Sequence, residues 1–241
     1  MKGSRPAQGA LTEKNDLSKT DETRRVVERM VDGLNNHEID GMGEFFHQNF
    51  RWIGNAGCGL KEGLKAFQEH WQRPFQQAFS DKVCIDEARL AEGEWMAAFG
   101  RQEATHSGEF MGIHPTGKRV EIRYMDFWKV EDGKIISNWV MVDFPHVMKQ
   151  LGVDPFQGHG WEKFDQEFQQ KASVPEGWYK KGLRNMSEIS KADRHTAHKQ
   201  RILPLRQAMY DFSETGVRSW LETLFLPETK VRLSHPMGEM Q

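Results

Sequence analysis

Apolar positions recur at helical spacing from Asp21 to Asn35, where Val26, Val27, Met30, Val31 and Leu34 form one face and Thr20 stands where an N-cap belongs. This pattern predicts an amphipathic helix, followed by a short helix over Gly41–Phe46 and a strand over Phe50–Ile53 that Gly54 ends. A longer helix is expected over Leu64–Phe79, because Phe67, Trp71, Phe75 and Phe79 fall at four-residue intervals. Pro74 should bend that helix or end it early. Alternating β-like runs follow over Val83–Leu90, over Glu94–Glu103 with a continuation through Thr105–Met111, and in the stretch Lys118–Gly152. Helix, helix, strand, helix and then antiparallel strands make an α+β pattern: a curved antiparallel sheet with helices on one side, forming a cone-shaped pocket.

The last of these runs reads as a hairpin into a short helix. Asp132-Gly133 between two β-rich segments signals a two-residue type I′ turn, which needs positive φ at both positions. Counting outward from Glu131 opposite Lys134, Val130 should oppose Ile135, Trp128 Ser137, Asp126 Trp139, Tyr124 Met141 and Ile122 Asp143. Directly opposed residues share a face. One face would then carry Ile122, Tyr124, Asp126, Trp128, Trp139, Met141 and Asp143, the lining of a pocket. The other, with Met125, Phe127, Val140 and Val142, is apolar enough to predict a homodimer through the sheet face.

Beyond Gly152 the texture changes. Residues 1–19 read as a disordered tail, 20–152 as the cone domain and 153–200 as a charged, glycine-bearing linker with short helices. Residues 201–241 form a helix-helix-strand segment, with elements over Leu205–Phe212, Val217–Phe225 and Thr229–Leu233. That order repeats the plan of Val26–Ile53, so the segment is either a partial second copy of the fold or an unrelated helical C-terminal extension.

Composition removes several classes of function. With 33 basic against 35 acidic residues there is no electrostatic footprint for nucleic acid or an anionic membrane surface. No stretch has the apolar length of a membrane span or the core of a signal peptide. Cys58 and Cys84 are the only cysteines and lack CxxC spacing, which fits a reduced, cytoplasmic setting and argues against a thiolate zinc site. Asp193, His195 and His198 lie in the charged linker and read as a solvated helix face, so no metal site is expected.

The segments Thr105-His-Ser-Gly-Glu-Phe-Met-Gly-Ile-His-Pro-Thr-Gly-Lys118, Asp132-Gly-Lys-Ile135 and Gln150-Leu-Gly152, together with Trp139, Asp143 and Ala78-Phe-Ser-Asp81, resemble successive motifs of the SnoaL-like polyketide cyclases. That family belongs to the nuclear-transport-factor-2-like superfamily of α+β cones, and the resemblance spans about residues 21–152. His114 departs from it, standing where proline is expected. The resemblance implies ring closure by intramolecular aldol condensation, with acid and base side chains and without metal or cofactor. The family's essential aspartate, in the strand before the Gln-Leu-Gly helix, maps onto Asp143.

The residues themselves support proton transfer and leave its carrier open. An aldol closure needs a base for a proton beside a carbonyl and an acid for the new alkoxide, and one carboxyl can serve both steps. Asp143 in a pocket walled by Tyr124, Trp139 and Met141 would suit that role, but Asp before Phe144-Pro145 is also a good helix N-cap. Asp126 lies ~13 Å along the ladder and is expected to accept from the Trp139 indole or to orient substrate. His106 is a second catalytic candidate, provided β-pairs sum to an even number as in Phe110 with Val120; a structural histidine is the alternative. Trp52, Trp71, Phe75, Tyr124, Asp126, Trp128, Trp139 and Met141 form the expected substrate-binding set, for a small hydrophobic carbonyl compound. The competing functions are an isomerase or dehydratase using the same pocket, and a non-catalytic protein that binds a small molecule or a partner chain.

Overall fold

Helix α1 (Leu17–Asn35) begins three residues before Thr20, so Thr20 is not its N-cap. Instead the Thr20 hydroxyl accepts from the Gly93 amide at 2.9 Å and the Thr23 hydroxyl donates to the Gly93 carbonyl at 2.7 Å. Two small β-branched side chains thus clamp the helix to a turn of the sheet. The computed structural model describes residues 17–157 apart from 39, 56 and 57, together with 204, 214–229, 231, 232, 239 and 240. The tail up to Asp16, most of the linker and the helix expected over Leu205–Phe212 lie outside these residues.

Six strands form one curved, unclosed sheet: β1 (Phe46–Ile53), β2 (Leu60–Glu62), β3 (Val83–Glu92), β4 (Trp95–Thr105), β5 (Arg119–Glu131) and β6 (Lys134–Val142). Their order is β2-β1-β6-β5-β4-β3, antiparallel throughout except for the parallel pair β1 and β6. This is the expected α+β architecture with helices against one face of the sheet. The continuation expected through Thr105–Met111 is not strand: β4 ends at Thr105, and Phe110 forms only an isolated bridge with Ile113. Helix α1 packs on β3 and β4. In place of one helix over Leu64–Phe79 stand α2 (Gly63–Phe67), a π-helical turn (Gln68–Gln72) and α3 (Arg73–Ala78). The wider turn absorbs an extra residue, and Pro74, which has no N–H to donate, falls at the start of α3 where none is needed. Helix α4 (Phe144–Leu151) follows β6 and ends on Gly152 in the left-handed conformation. In the C-terminal segment, helix α5 (Glu214–Leu224) is followed by β7 (Val231–Arg232) paired with β8 (Glu239–Met240).

The hairpin departs from its expected register. Asp132 and Gly133 have φ of 49° and 70°, as a type I′ turn requires, and Glu131 with Lys134 and Val130 with Ile135 pair as counted. Ile136 is then skipped: Lys129 pairs with Ser137, Trp128 with Asn138, Phe127 with Trp139, Asp126 with Val140 and Tyr124 with Val142. The other neighbour of β6 shifts at the same place, between Phe46 opposite Ile135 and Arg51 opposite Ser137. A one-residue bulge exchanges the two faces of the strand beyond it. Trp139 and Met141 therefore lie on the outer face, 52% and 58% exposed, and do not line the pocket. Asn138, Val140 and Val142 take the inner positions, so Val140 and Val142 leave the outer apolar face.

A second bulge, at Glu87 in β3, presses its backbone against β4. A Cβ at Gly100 would lie 2.2 Å from the Ile85 carbonyl oxygen and 2.9 Å from the Asp86 Cα. Gly100 therefore permits the approach that turns Asp86 inward. Gly100→Ala should lower stability by roughly 1–3 kcal/mol, measured as a reduced urea midpoint; an unchanged midpoint would show that this contact does not constrain the sheet.

Candidate active site

The apolar interior is divided in two. One cluster gathers Phe50, Trp52, Met96 and Trp128; the other gathers Phe75, Phe79, Tyr124, Val142 and Phe144. Cys58, Trp71 and Val140 are partly buried and pack against both, so they mark the seam between the clusters, where the expected pocket would lie. Trp71 stacks on Trp52 at 4.7 Å and on Phe75 at 5.1 Å, giving that seam an aromatic side. On the sheet side Asp126 sits between Trp128 of one cluster and Tyr124 of the other. Of the eight expected binding residues, Trp52, Trp71, Phe75, Tyr124, Asp126 and Trp128 are on this inner side; Trp139 and Met141 are not.

Asp126 does not bond the Trp139 indole. Its Oδ1 accepts from the Asn138 side-chain amide at 2.9 Å. Removal from water is the main influence on its acidity: burial, with the Asp86 carboxylate adding to it, pushes its pKa up to about 7 against the opposing effects of Asn138 and Lys82. By surface area the Asp126 residue as a whole is only partly buried. Enclosure with access is what proton transfer near neutral pH requires.

Asp86 completes the polar wall. It lies in the row Val142–Tyr124–Gly100–Asp86, accepts from the Tyr124 hydroxyl on Oδ1 and from the Arg89 guanidinium on Oδ2. Burial first, then the acidic groups Cys84 and Asp86, push the Tyr124 phenol far above its usual range, so it stays protonated and donating. Burial also raises the Cys84 thiol and makes it a poor nucleophile. The inward residues Lys82, Cys84, Asp86, Arg89 and Gln102 were missed in the sequence. The alternation Lys82, Cys84, Asp86 against Val83 and Ile85 is the signal that was there, but the bulge at Glu87 hides its continuation to Arg89. Gln102 Oε1 and both amide atoms of Gln72 are buried without a partner among the described residues. No three His, Cys, Asp or Glu side chains among the described residues converge as a metal site would.

Asp143 stands apart from this group, at the strand end. Its side chain accepts from the His146 amide at 3.3 Å, capping α4, and its own amide bonds the Arg123 carbonyl at 3.0 Å. Asn55 fixes the preceding residue, exchanging two bonds of 2.8 and 2.7 Å with the Val142 backbone. Asp143 is 8% exposed.

His106 has the inward parity expected of it, since Ala104 pairs with Val120. The ring is 0% exposed, packs on Phe79 at 5.5 Å, and accepts at Nδ1 from the Thr116 amide at 3.2 Å. With Nδ1 accepting, the neutral ring carries its proton on Nε2, which has no partner among the described residues. Burial alone lowers its pKa. The surrounding motif is structural: Asp81 accepts from the Thr105 amide and hydroxyl and from Arg119 at 2.6, 2.8 and 2.8 Å. Gly108 lies where a Cβ would meet the Gln77 carbonyl oxygen at 2.3 Å. His106 thus pins the loop between β4 and β5, and the structure does not bring it to Asp126.

The sequence profile of the SnoaL-like polyketide cyclases matches residues 24–151. Nogalonic acid methyl ester cyclase from Streptomyces nogalater is 29% identical over 136 residues, 55% of this chain and 98% of the relative. Aklanonic acid methyl ester cyclase DnrD from Streptomyces peucetius is 27% identical over 140 residues, 56% of this chain and 94% of the relative. Among solved structures, a SnoaL-like protein from Jannaschia sp. CCS1 superposes with a TM-score of 0.52 at 20% identity, over 59% of this chain and 99% of its own. These likenesses fix the cone fold for the N-terminal part of the chain.

The raised pKa of Asp126 ties stability to pH. The unfolded carboxyl ionises near 4, the folded one at about 7, so between these values the folded state holds the extra proton. This contribution to stability is full below pH ~4 and is lost as pH rises to about 7, by up to ~4 kcal/mol. Asp126→Asn should therefore be more stable than wild type at pH 8, with the difference shrinking or reversing towards pH 4. Parallel urea midpoints at both pH values would show the same profile twice if Asp126 were not the titrating group.

Proposed function

We propose that this chain, which belongs to the SnoaL-like polyketide cyclase family, closes a ring in a polyketide-like carbonyl compound by an aldol step for which Asp126 carries the proton. The supporting observation is a carboxyl flanked by two aromatic clusters, with its pKa pushed up to about 7. As a carboxylate, Asp126 takes a proton from the carbon beside a carbonyl. The resulting enolate carbon attacks a second carbonyl of the same molecule, forming the new carbon–carbon bond. The alkoxide left on that second carbonyl then takes the proton back from Asp126, so the carboxyl is regenerated and no other reagent is consumed.

Each neighbour has a part in this reading. Asn138 holds one oxygen of Asp126 and leaves the other for the proton. Arg89 and Tyr124 occupy both oxygens of Asp86, so the second carboxylate is engaged and does not compete for substrate. Trp71, with Cys58 and Val140, supplies the apolar side on which a flat polycyclic molecule can lie, and a dry surface keeps the enolate from being quenched by water. Asp143 is the competing carrier, through its place in the family motif.

The outer face of the sheet carries the rows Phe99–Met125–Met141 and Ala97–Phe127–Trp139. Their exposed aromatic and thioether side chains form the surface through which two copies pair in this proposal. Trp139→Glu should shift a sizing-column peak to monomer mass, and an unshifted peak would refute the pairing.

Two isosteric variants separate the carriers. Asp126→Asn should lower turnover of a cyclisable polyketide ester by roughly 10²–10⁴-fold, while the wild-type rate rises with pH through about 7. Asp143→Asn, which can still cap α4, should retain most of the rate. The opposite pattern would return the role to Asp143.

A further inference from the structure

On the inner face of the sheet the rows Asp86–Gly100–Tyr124 and Arg89–Ala98–Asp126 lie side by side across β3, β4 and β5. The middle strand contributes a hydrogen atom to one row and a methyl group to the other. Nothing bulkier from β4 separates the polar side chains of β3 from those of β5, and the Tyr124 hydroxyl crosses over Gly100 to donate to Asp86. In the second row Arg89 and Asp126 are two strand spacings apart, ~10 Å between backbones. Extended toward one another over Ala98, an arginine and an aspartate side chain meet across such a gap. The arginine turns along its own strand instead. Its Nε donates to Asp86 Oδ2 and its Nη1 lies 3.6 Å from Glu28 of α1, while Asp126 accepts from the Asn138 amide at 2.9 Å. The other titratable groups whose charge acts on Asp126 or its neighbours from β3 and β5 are Lys82, Cys84 and Tyr124. An arginine paired with a carboxylate holds it as the ion and weakens it as a base.

We propose that Asp86 is a positioning residue for Asp126 and acts through Arg89: by holding the guanidinium on β3, it keeps a cation from pairing with the Asp126 carboxylate in the same row. Asp126 is thereby left with an uncharged donor, Asn138, and stays basic enough to take a proton and acidic enough to return it. The inference rests on the proposed function only in giving that proton a use. The arrangement itself is tested without substrate.

The test follows the side-chain carboxyl carbon of Asp126 by carbon-13 NMR through a pH titration of the full chain, its signal identified by its loss in Asp126→Asn. In the wild type the midpoint should lie at about 7. Asp86→Asn keeps an oxygen for the Tyr124 hydroxyl and loses the charge that holds Arg89, so the midpoint should fall to roughly 4–6. Arg89→Gln should leave it at about 7 or higher. Combining the two substitutions should restore most of the fall, because no cation is left to move. An unchanged midpoint in Asp86→Asn, an equal fall with and without Arg89, or a fall in Arg89→Gln alone would each overturn the proposal. Arg89→Gln decides even if Asp86→Asn fails to fold. A midpoint that moves in Asp86→Asn while the pH dependence of turnover does not would refute Asp126 as carrier and leave the coupling standing. An unmoved midpoint with turnover lost in Asp126→Asn would do the reverse.

Discussion

One residue too many in β6 determines what the interior of the cone contains. Ile136 has no partner on either β5 or β1, and every side chain after it is turned over relative to the turn at Asp132-Gly133. The bulge sends two large apolar side chains, Trp139 and Met141, to the outside. It brings in Asn138, Val140 and Val142, which are smaller. The exchange costs buried apolar area, yet it places smaller side chains at the seam between the two aromatic clusters and supplies the amide that holds Asp126. A strand without the bulge would place an indole there and fill the recess.

The second organising feature is the division of polar work within that recess. Asp86 and Asp126 are near enough for the charge of one to act on the other, but their hydrogen-bond surroundings differ. Asp86 is embedded in donors, Tyr124 and Arg89, and is fixed by them. Asp126 has one amide donor and an apolar surround, so burial controls it. Here the bulge at Glu87 and the missing Cβ of Gly100 create the inequality, because they let β3 deliver Asp86 to the Tyr124 hydroxyl.

Much of this was legible in the chain before folding. Helix α1 and the α+β order of elements follow from apolar periodicity, the type I′ turn from Asp132-Gly133, and the inward parity of His106 from a single even-sum rule. The aromatic wall of Trp52, Trp71 and Phe75 was visible as well. What could not be read was the register beyond Ile136, since a bulge leaves the alternation of apolar residues intact while reversing its meaning; Trp139 and Val140 look equally fit for either face. The same limit hid Arg89 and misplaced the partner of Asp126. Thr20 looks like a cap because local spacing cannot reveal that Gly93, seventy-three positions away, binds its hydroxyl. Asp143 was correctly seen as able to cap α4, and the family motif gave it a second role that geometry neither supplies nor removes.

The parallel pairing of β1 with β6 has a consequence for how the protein comes into being. Apart from three residues of β2, β1 finds no strand partner until β6 has been made, and Phe46 pairs with Ile135. At a synthesis rate of about 5–20 residues per second, the aromatic strand waits roughly 5–20 s. During that interval Phe46, Phe50 and Trp52 can pack on the apolar face of α1 and on the helical segment that carries Phe67 and Trp71. The stacked rings that later wall the recess would then form an early local nucleus, ahead of the sheet that finally encloses them.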